Sequence, residues 1–137
     1  MHTSKKPAVY LIDGLNYVRS HLAQGGPGEE DSVSDFLDWL EYAAQYAPAG
    51  SFFRVVLDGG YRNVGATVRA GVRVDFSEGE RADDIILEHA LYLLRERRRP
   101  VVVSDDGELL SRARAEGVKT IRCEKFHAFC RSALPNK

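Results

Sequence analysis

The sequence predicts an α/β fold with a central, mainly parallel sheet and helices on both faces. Short runs rich in β-branched and aromatic residues alternate along the chain with longer stretches of helical periodicity. Such alternation is typical of parallel sheets, because the helices form the crossovers between parallel strands. With 137 residues and no internal repeat, the chain is expected to form one domain over residues 1–137, in which residues 1–7 are a flexible tail.

Five apolar segments are predicted strands, at 9–12, 52–57, 72–76, 101–104 and 118–122. The segment 72–76 differs from the others because its apolar residues alternate with Arg73 and Asp75. This alternation predicts a half-exposed strand at an edge of the sheet, where it would permit a dimer without requiring one. The oligomeric state therefore stays open.

Four helices are predicted between these strands and after the last one. The first begins at Ser32, after a loop at 24–31, and ends before Pro48. Its apolar residues recur at the spacing of one helical face. The others cover 82–98, 107–116 and 124–134, and Gly117 is placed to end the third of the four. The polar stretch 60–70 is expected to be a loop.

Composition argues against several classes of protein. The chain is 44% hydrophobic and 28% charged, which is typical of a folded domain. No apolar run approaches the roughly 20 residues of a membrane span. The N-terminus lacks the apolar core of a secretory signal. Two cysteines, Cys123 and Cys130, cannot form a disulfide framework or a zinc cage alone. We therefore expect reduced thiols in a cytoplasmic protein.

The charge distribution leaves room for nucleic-acid binding. The net charge is −1, but residues 1–50 carry three basic and seven acidic side chains, whereas residues 51–137 carry 16 basic and 13 acidic ones. No phosphate-binding or dinucleotide-binding glycine motif is present. The histidines His21, His89 and His127 show no metal-ligand spacing, and His89 is expected to pack.

Acidic residues follow three of the predicted strands. These are Asp13, Asp58 and Asp105, the last with Asp106 beside it, while Glu80, Asp83 and Asp84 stand at the start of a predicted helix. Because the carboxyl ends of parallel strands share one edge, we expect an acidic pocket there. Clustered carboxylates repel unless a cation offsets them, and hard oxygen ligands suit Mg²⁺ or Mn²⁺. The alternative for each residue is a turn or a helix cap.

Four motifs in order resemble a known family. They are VYLIDGLNY at 9–17, VVLDG at 55–59, SEGERADDII at 77–86 and VVSDD at 102–106. In these residues the sequence resembles the NYN branch of the PIN-like nuclease superfamily, and within it the YacP-like group. The resemblance implies a three-layer α/β/α PIN-like fold. It also implies a divalent-metal-dependent endoribonuclease that hydrolyses RNA phosphodiester bonds and leaves a 3′-hydroxyl and a 5′-phosphate.

The resemblance also implies roles for individual residues. Asp13, Asp83 and Asp105 would bind the metal, and Glu80 would join them as a catalytic carboxylate. Asp106 would either face the site as a further ligand or cap the helix at Gly107. Asn16 would position Asp13 or contact the substrate. Asp58 is not expected to be a ligand, and Asp84 is expected to point away from the site.

The implied partners are RNA, expected to be single-stranded, and the ribosome; no membrane is expected. Arg62 and Arg69 lie in a basic and aromatic segment after Asp58, which either contacts RNA phosphates or is a solvated loop. A non-catalytic RNA- or ribosome-binding module with the same fold is the main alternative function. A receiver-type phosphoacceptor at Asp58 is a weaker one, because a second acidic residue after the first strand is missing.

Overall fold

The computed structural model describes residues 7–21 and 28–135. Residues 1–6 of the predicted tail, and 22–27 with part of the predicted loop, lie outside these ranges. The described strands are β1 (Val9–Asp13), β2 (Phe52–Leu57), β3 (Val68–Arg69), β4 (Val72–Phe76), β5 (Pro100–Val103) and β6 (Lys119–Ile121). The described helices are α1 (Gly14–His21), α2 (Glu29–Ala44), α3 (Ala82–Arg95), α4 (Gly107–Ala115) and α5 (Cys123–Ala133).

The strands form one sheet in the order β3-β4-β2-β1-β5-β6. All neighbouring pairs are parallel except β3 with β4. The chain leaves β1 toward β2 and β4, and then returns to place β5 on the other side of β1. Crossovers therefore diverge between β1 and β5, which is the position where parallel sheets open a crevice. The predicted mainly parallel sheet is confirmed.

Two apolar cores, one on each face of the sheet, produce the three layers. Successive residues of β1 belong to different cores, since Ile12 packs in one and Leu11 in the other, and both are fully buried. The first core contains apolar residues of α1, α2 and α5, and the second contains those of α3 and α4. The predicted α/β/α arrangement is confirmed.

Helix α1 was not predicted, and it begins directly after Asp13. Its first residue, Gly14, lies so close to β2 that an added Cβ would be 2.6 Å from the Leu57 side chain and 2.7 Å from that of Val55. Only glycine permits this approach without a shift of the buried core. The glycine after Asp13 therefore brings α1 against the sheet at the carboxyl end of β1.

The strand at 72–76 is not the edge of the sheet, so the expectation of an exposed edge there was wrong. Strand β3, inside the predicted 60–70 loop, pairs with Val72 and Arg73 on that side. The Arg69 side chain is only 7% exposed and forms ion pairs with Asp38 and Glu41 of α2, which holds β3 in place. In the described ranges, no helix has the length and apolar character to cross a membrane.

Candidate active site

Polar side chains meet at the edge of the sheet where the parallel strands have their carboxyl ends. β1 ends at Asp13, while Asp58 follows β2 and Ser104 follows β5. Because β1 lies between β2 and β5, these positions are adjacent. A pocket of about 360 Å³ opens here. Its polar lining consists of Asp13, Asn16, Arg19, Ser20, Asp58, Arg81, Asp83 and Asp106; we call it the acidic pocket.

Asp13 lies at the floor of the acidic pocket and is only 8% exposed. The Ser104 hydroxyl lies 3.3 Å from its Oδ2, within donating distance. Burial and the negative charge of Asp83 raise the pKa of Asp13 to about 6, although hydrogen bonds from the Asn16 amide and Ser104 oppose the rise. A carboxylate in this position needs a compensating positive charge. Within residues 7–21 and 28–135, no lysine or arginine forms an ion pair with it.

Asp83 and Asp106 bring two further carboxylates to the acidic pocket. Asp83 lies in the first turn of α3 and is 7% exposed. Burial and the charge of Asp106 raise its pKa, although Arg81, 3.2 Å from its Oδ2, opposes the rise. Asp106 is the N-cap of α4, and its Oδ1 accepts a hydrogen bond from the Glu108 amide at 3.0 Å. It thus lines the pocket and caps the helix, combining the two expected alternatives.

Asn16 and Ser104 connect α1 to the loop that carries Asp106. The Asn16 Oδ1 accepts a hydrogen bond from the Asp105 amide at 2.7 Å. The Ser104 hydroxyl lies 3.2 Å from the same oxygen and accepts from the Asp106 amide at 3.0 Å. These contacts fix the backbone after β5 relative to Asp13. Asn16 therefore positions the loop, whereas the expected role was to position Asp13 or to contact the substrate.

Asp58 lines the acidic pocket, but its carboxylate is already engaged by the backbone. Its Oδ1 accepts a hydrogen bond from the Ala82 amide at 2.9 Å, at the start of α3. The N-cap residue of α3, Arg81, makes no side-chain cap of its own. Asp58 thus supplies the acceptor that this helix start lacks.

Two predicted catalytic carboxylates lie outside the acidic pocket. Asp105 turns toward α5, where its Oδ1 accepts from the Cys123 amide at 3.0 Å and its Oδ2 lies 3.0 Å from the His21 Nε2. Partial burial opposes ionisation of Asp105, but these hydrogen bonds prevail and lower its pKa. Glu80 is exposed and borders a different pocket beside Arg54 and His89. The structure does not bring either side chain to Asp13.

The two arginines expected to bind RNA are held elsewhere. Arg69 is nearly buried against α2, as described above, because its charge is offset by Asp38 and Glu41. Arg62 donates to the carbonyl oxygens of Asp58 and Gly60, at 2.8 and 2.6 Å, and its guanidinium lies over the Phe76 ring. Both side chains support the loop after β2 and do not line the acidic pocket.

Two other arginines, Arg19 and Arg81, line the acidic pocket and were not predicted as site residues. Arg81 is exposed and contacts Asp83. Arg19 is held by two hydrogen bonds to Glu29, at 2.6 and 3.1 Å. The sequence contained a signal for each: Arg81 belongs to the SEGERADDII motif, and Arg19 follows Asn16 by three residues on a helix.

The acidic pocket fits a hard divalent cation. Its lining includes four aspartates, one of which, Asp58, is engaged by the backbone, and it contains neither His nor Cys. Oxygen donors of this kind suit Mg²⁺ or Mn²⁺. Burial and a neighbouring carboxylate raise the pKa of Asp13 and of Asp83, and a bound cation would favour their ionised forms.

Comparison with known families adds independent evidence. A family described as the PIN domain matches residues 31–124, which is more than half of the chain. The chain belongs to the PIN domain family. PIN domains are in general nucleases and typically use Mg²⁺ or Mn²⁺. The resemblance to this superfamily, drawn above from four motifs, is confirmed.

Solved structures show the same fold. The crystal structure of Rae1 (YacP) from Bacillus subtilis matches with a TM-score of 0.71 at 16% identity, over 91% of this chain and 74% of that one. A tryptophan-to-leucine mutant of the same protein matches with a TM-score of 0.71 at 21% identity, over 92% and 76%. This PIN domain thus shares the YacP fold. Among curated proteins, no match to this chain is found.

Proposed function

We propose that this PIN domain is a divalent-metal-dependent endoribonuclease that hydrolyses RNA phosphodiester bonds in the acidic pocket. One observation carries the proposal. Asp13, Asp83 and Asp106 come from three separate segments, and they line one pocket of about 360 Å³. Burial raises the pKa of Asp13 and of Asp83, and a neighbouring charge adds to each rise, that of Asp83 for Asp13 and that of Asp106 for Asp83. Carboxylates that repel each other at the mouth of a parallel sheet are expected to serve a ligand, since they destabilise the empty site.

Asp13, Asp83 and Asp106 are the residues that would hold the metal. We assign to Asp106 the position that the family resemblance implied for Asp105, because Asp106 lines the acidic pocket and Asp105 does not. When bound, divalent ions would polarise the scissile phosphate and lower the pKa of water. Glu80 has no place in this assignment, since its exposed side chain borders another pocket.

Among the remaining residues of the acidic pocket, the arginines would bind RNA phosphate and Asn16 would orient the loop that carries Asp106. Arg19 and Arg81 line it with positive charge, and a guanidinium can contact phosphate oxygens through two parallel hydrogen bonds. Glu29 holds Arg19 in place. Asn16 fixes the backbone of the loop that presents Asp106, because it accepts the Asp105 amide. The pocket opens at the end of the sheet, which suits a flexible single strand better than a rigid duplex.

Cleavage of a labelled single-stranded RNA tests the proposal. The wild-type chain is expected to cleave it with Mn²⁺ or Mg²⁺ and to leave it intact with a chelator. Asp13→Asn removes one charge from the proposed ligand set while keeping the side-chain size, so we expect cleavage to be lost from a folded protein. Thermal unfolding of the variant provides the control for folding.

A non-catalytic RNA-binding module with the same fold would give a different result. It would bind the RNA in the presence of chelator and would yield no product with either metal. The acidic pocket argues against this function, because a surface that only binds RNA gains nothing from a cluster of aspartates facing phosphate. Full cleavage by Asp13→Asn would equally contradict the proposed site.

We also propose a partner on which the RNA is cleaved. The resemblance to the YacP-like group makes the ribosome a candidate partner, so the same assay on ribosome-bound RNA is the companion experiment. Faster cleavage on ribosomes than on free RNA would support that partner. We propose a cytoplasmic location, where free thiols such as those of Cys123 and Cys130 persist.

A further inference from the structure

A second group of metal-ligating side chains lies outside the acidic pocket, where α1 ends, β5 ends and α5 begins. The group consists of His21, Asp105 and Cys123, and one ligand atom of each lies within 4.8 Å of the others. The His21 Nε2 and the Asp105 Oδ2 are 3.0 Å apart. These residues are far apart in the sequence, so their spacing gave no indication of the group.

We propose that His21, Asp105 and Cys123 form a binding site for a zinc-like transition-metal ion. Imidazole, carboxylate and thiolate together are a donor set that zinc accepts and that magnesium does not. Ligand atoms around a tetrahedral zinc ion lie roughly 3.3–3.8 Å apart, as its bond lengths require. The three ligand atoms lie within 4.8 Å of one another, so they would have to approach by at most roughly 1.5 Å to reach this geometry.

The surroundings of the group support a built site. The Cys123 amide donates to the Asp105 Oδ1 at 3.0 Å, and the Arg122 guanidinium donates to the Asp105 carbonyl at 3.0 Å. Both contacts hold the Asp105 backbone and carboxylate against α5, and hydrogen bonds of this kind orient ligands. Cys123 is fully buried, whereas the side chains of His21 and Asp105 are 30% and 24% exposed.

The ion would have a route to the group and room for a fourth ligand. A pocket of about 610 Å³ is bordered by His21, Asp105 and Arg122. Three protein ligands leave one tetrahedral position, which water from this pocket can fill. On binding, the Cys123 thiol loses its proton to solvent as the sulfur–metal bond forms. Bound metal would join α1 and α5 to the loop that carries Asp106.

Cobalt and zinc titrations of the full chain test the site independently of nuclease activity. Co²⁺ bound by a thiolate gives a charge-transfer absorption in the near ultraviolet that carboxylate ligands do not produce. We expect this absorption in the wild type, and we expect added Zn²⁺ to abolish it by displacing the cobalt. Asp13→Asn removes a carboxylate of the acidic pocket and no ligand of this group, so it should leave the absorption in place.

Two variants remove ligands and one serves as the matched control. Cys123→Ser should abolish the cobalt absorption, whereas Cys130→Ser, in the same helix but outside the group, should retain it. His21→Gln changes a partly exposed side chain and should weaken zinc affinity at least about tenfold, with thermal unfolding as the control for folding. The proposal fails if the wild type shows no absorption, if Cys123→Ser keeps it, or if His21→Gln binds zinc as tightly as the wild type.

Discussion

Asp13 and Asp83 are nearly buried, yet each faces another carboxylate. A buried acid in such a place favours its protonated form, because water no longer stabilises the charge and the neighbour opposes it. The pKa of Asp13 rises to about 6, whereas an unfolded chain gives an aspartate a pKa of about 3.9. The pocket therefore destabilises the metal-free protein at neutral pH.

The raised pKa of Asp13 predicts how stability depends on pH without metal. The folded state keeps this proton up to about pH 6 and the unfolded state only to about pH 3.9, so stability falls as pH rises between these values. Asp13→Asn is neutral at every pH. With chelator, urea unfolding should show the variant more stable than the wild type by about 1–3 kcal/mol at pH 7.5 and nearly equal to it at pH 4.

If Asp13→Asn and the wild type differed in their free energy of unfolding by the same amount at pH 7.5 and at pH 4, this prediction would be contradicted. The substitution would then act through packing or hydrogen bonding alone. A metal effect provides the complementary control. Added Mn²⁺ should stabilise the wild type at pH 7.5 more than it stabilises Asp13→Asn, because ligand binding to the folded state raises the free energy of unfolding.

For the pair Asp105 and Asp106, the sequence alone does not predict which side chain faces the acidic pocket. The VVSDD motif places two aspartates after a buried strand, and both were expected near the site. The backbone after β5 decides which of the two faces the acidic pocket. That backbone is fixed by Ser104 within the VVSDD motif and by Asn16 from the first motif. Asp105 is drawn to the Cys123 amide, which lies 18 residues later. No local pattern contains that contact.

At the scale of elements, α3 begins where Asp58 accepts the Ala82 amide. A helix start has free amide groups, and an acceptor from a distant strand satisfies one of them as a local cap would. The contact also fixes the first turn of α3, which carries Asp83, relative to the end of β2.

Because Asp58 caps α3, we expect two substitutions of Asp58 to lower the free energy of unfolding by different amounts. Asp58→Ala removes the acceptor and should lower the free energy of unfolding by about 0.5–2 kcal/mol. Asp58→Asn keeps an amide oxygen that can accept the same hydrogen bond, so its cost should be smaller. Urea unfolding at pH 7 measures both. Equal losses for the two substitutions would contradict the cap, since they would point to the charge of Asp58, which both substitutions remove.

Most elements were predictable because their patterns are local. Apolar runs located five of the strands, and helical periodicity located four helices within a few residues of their observed ends. Helix α1 was not predicted because a glycine follows a strand there, and the DG pair is a common turn signal. Strand β3 has only two residues and depends on the contact of Arg69 with α2. Neither element has a pattern of its own.

At the scale of the whole molecule, strand order places the acidic pocket. The chain builds β2 and β4 on one side of β1, then returns to build β5 and β6 on the other. Asp13, at the end of β1, and the Ser104–Asp106 loop, after β5, lie in the crevice at this reversal of strand order. Alternation of strands and helices predicted the edge that carries the site. Strand order itself requires long-range contacts, so sequence motifs could only suggest it through the family resemblance.

We propose that the carboxylates of the acidic pocket support metal-dependent RNA cleavage. Neighbouring aspartates in α3 test it most directly. Asp83 lines the pocket, whereas Asp84 is exposed and pairs with Arg112 at 3.2 Å. With Mn²⁺ and single-stranded RNA, Asp83→Asn should lower the cleavage rate at least about 100-fold, and Asp84→Asn should cleave as the wild type does. Equal cleavage by the two variants would contradict the account.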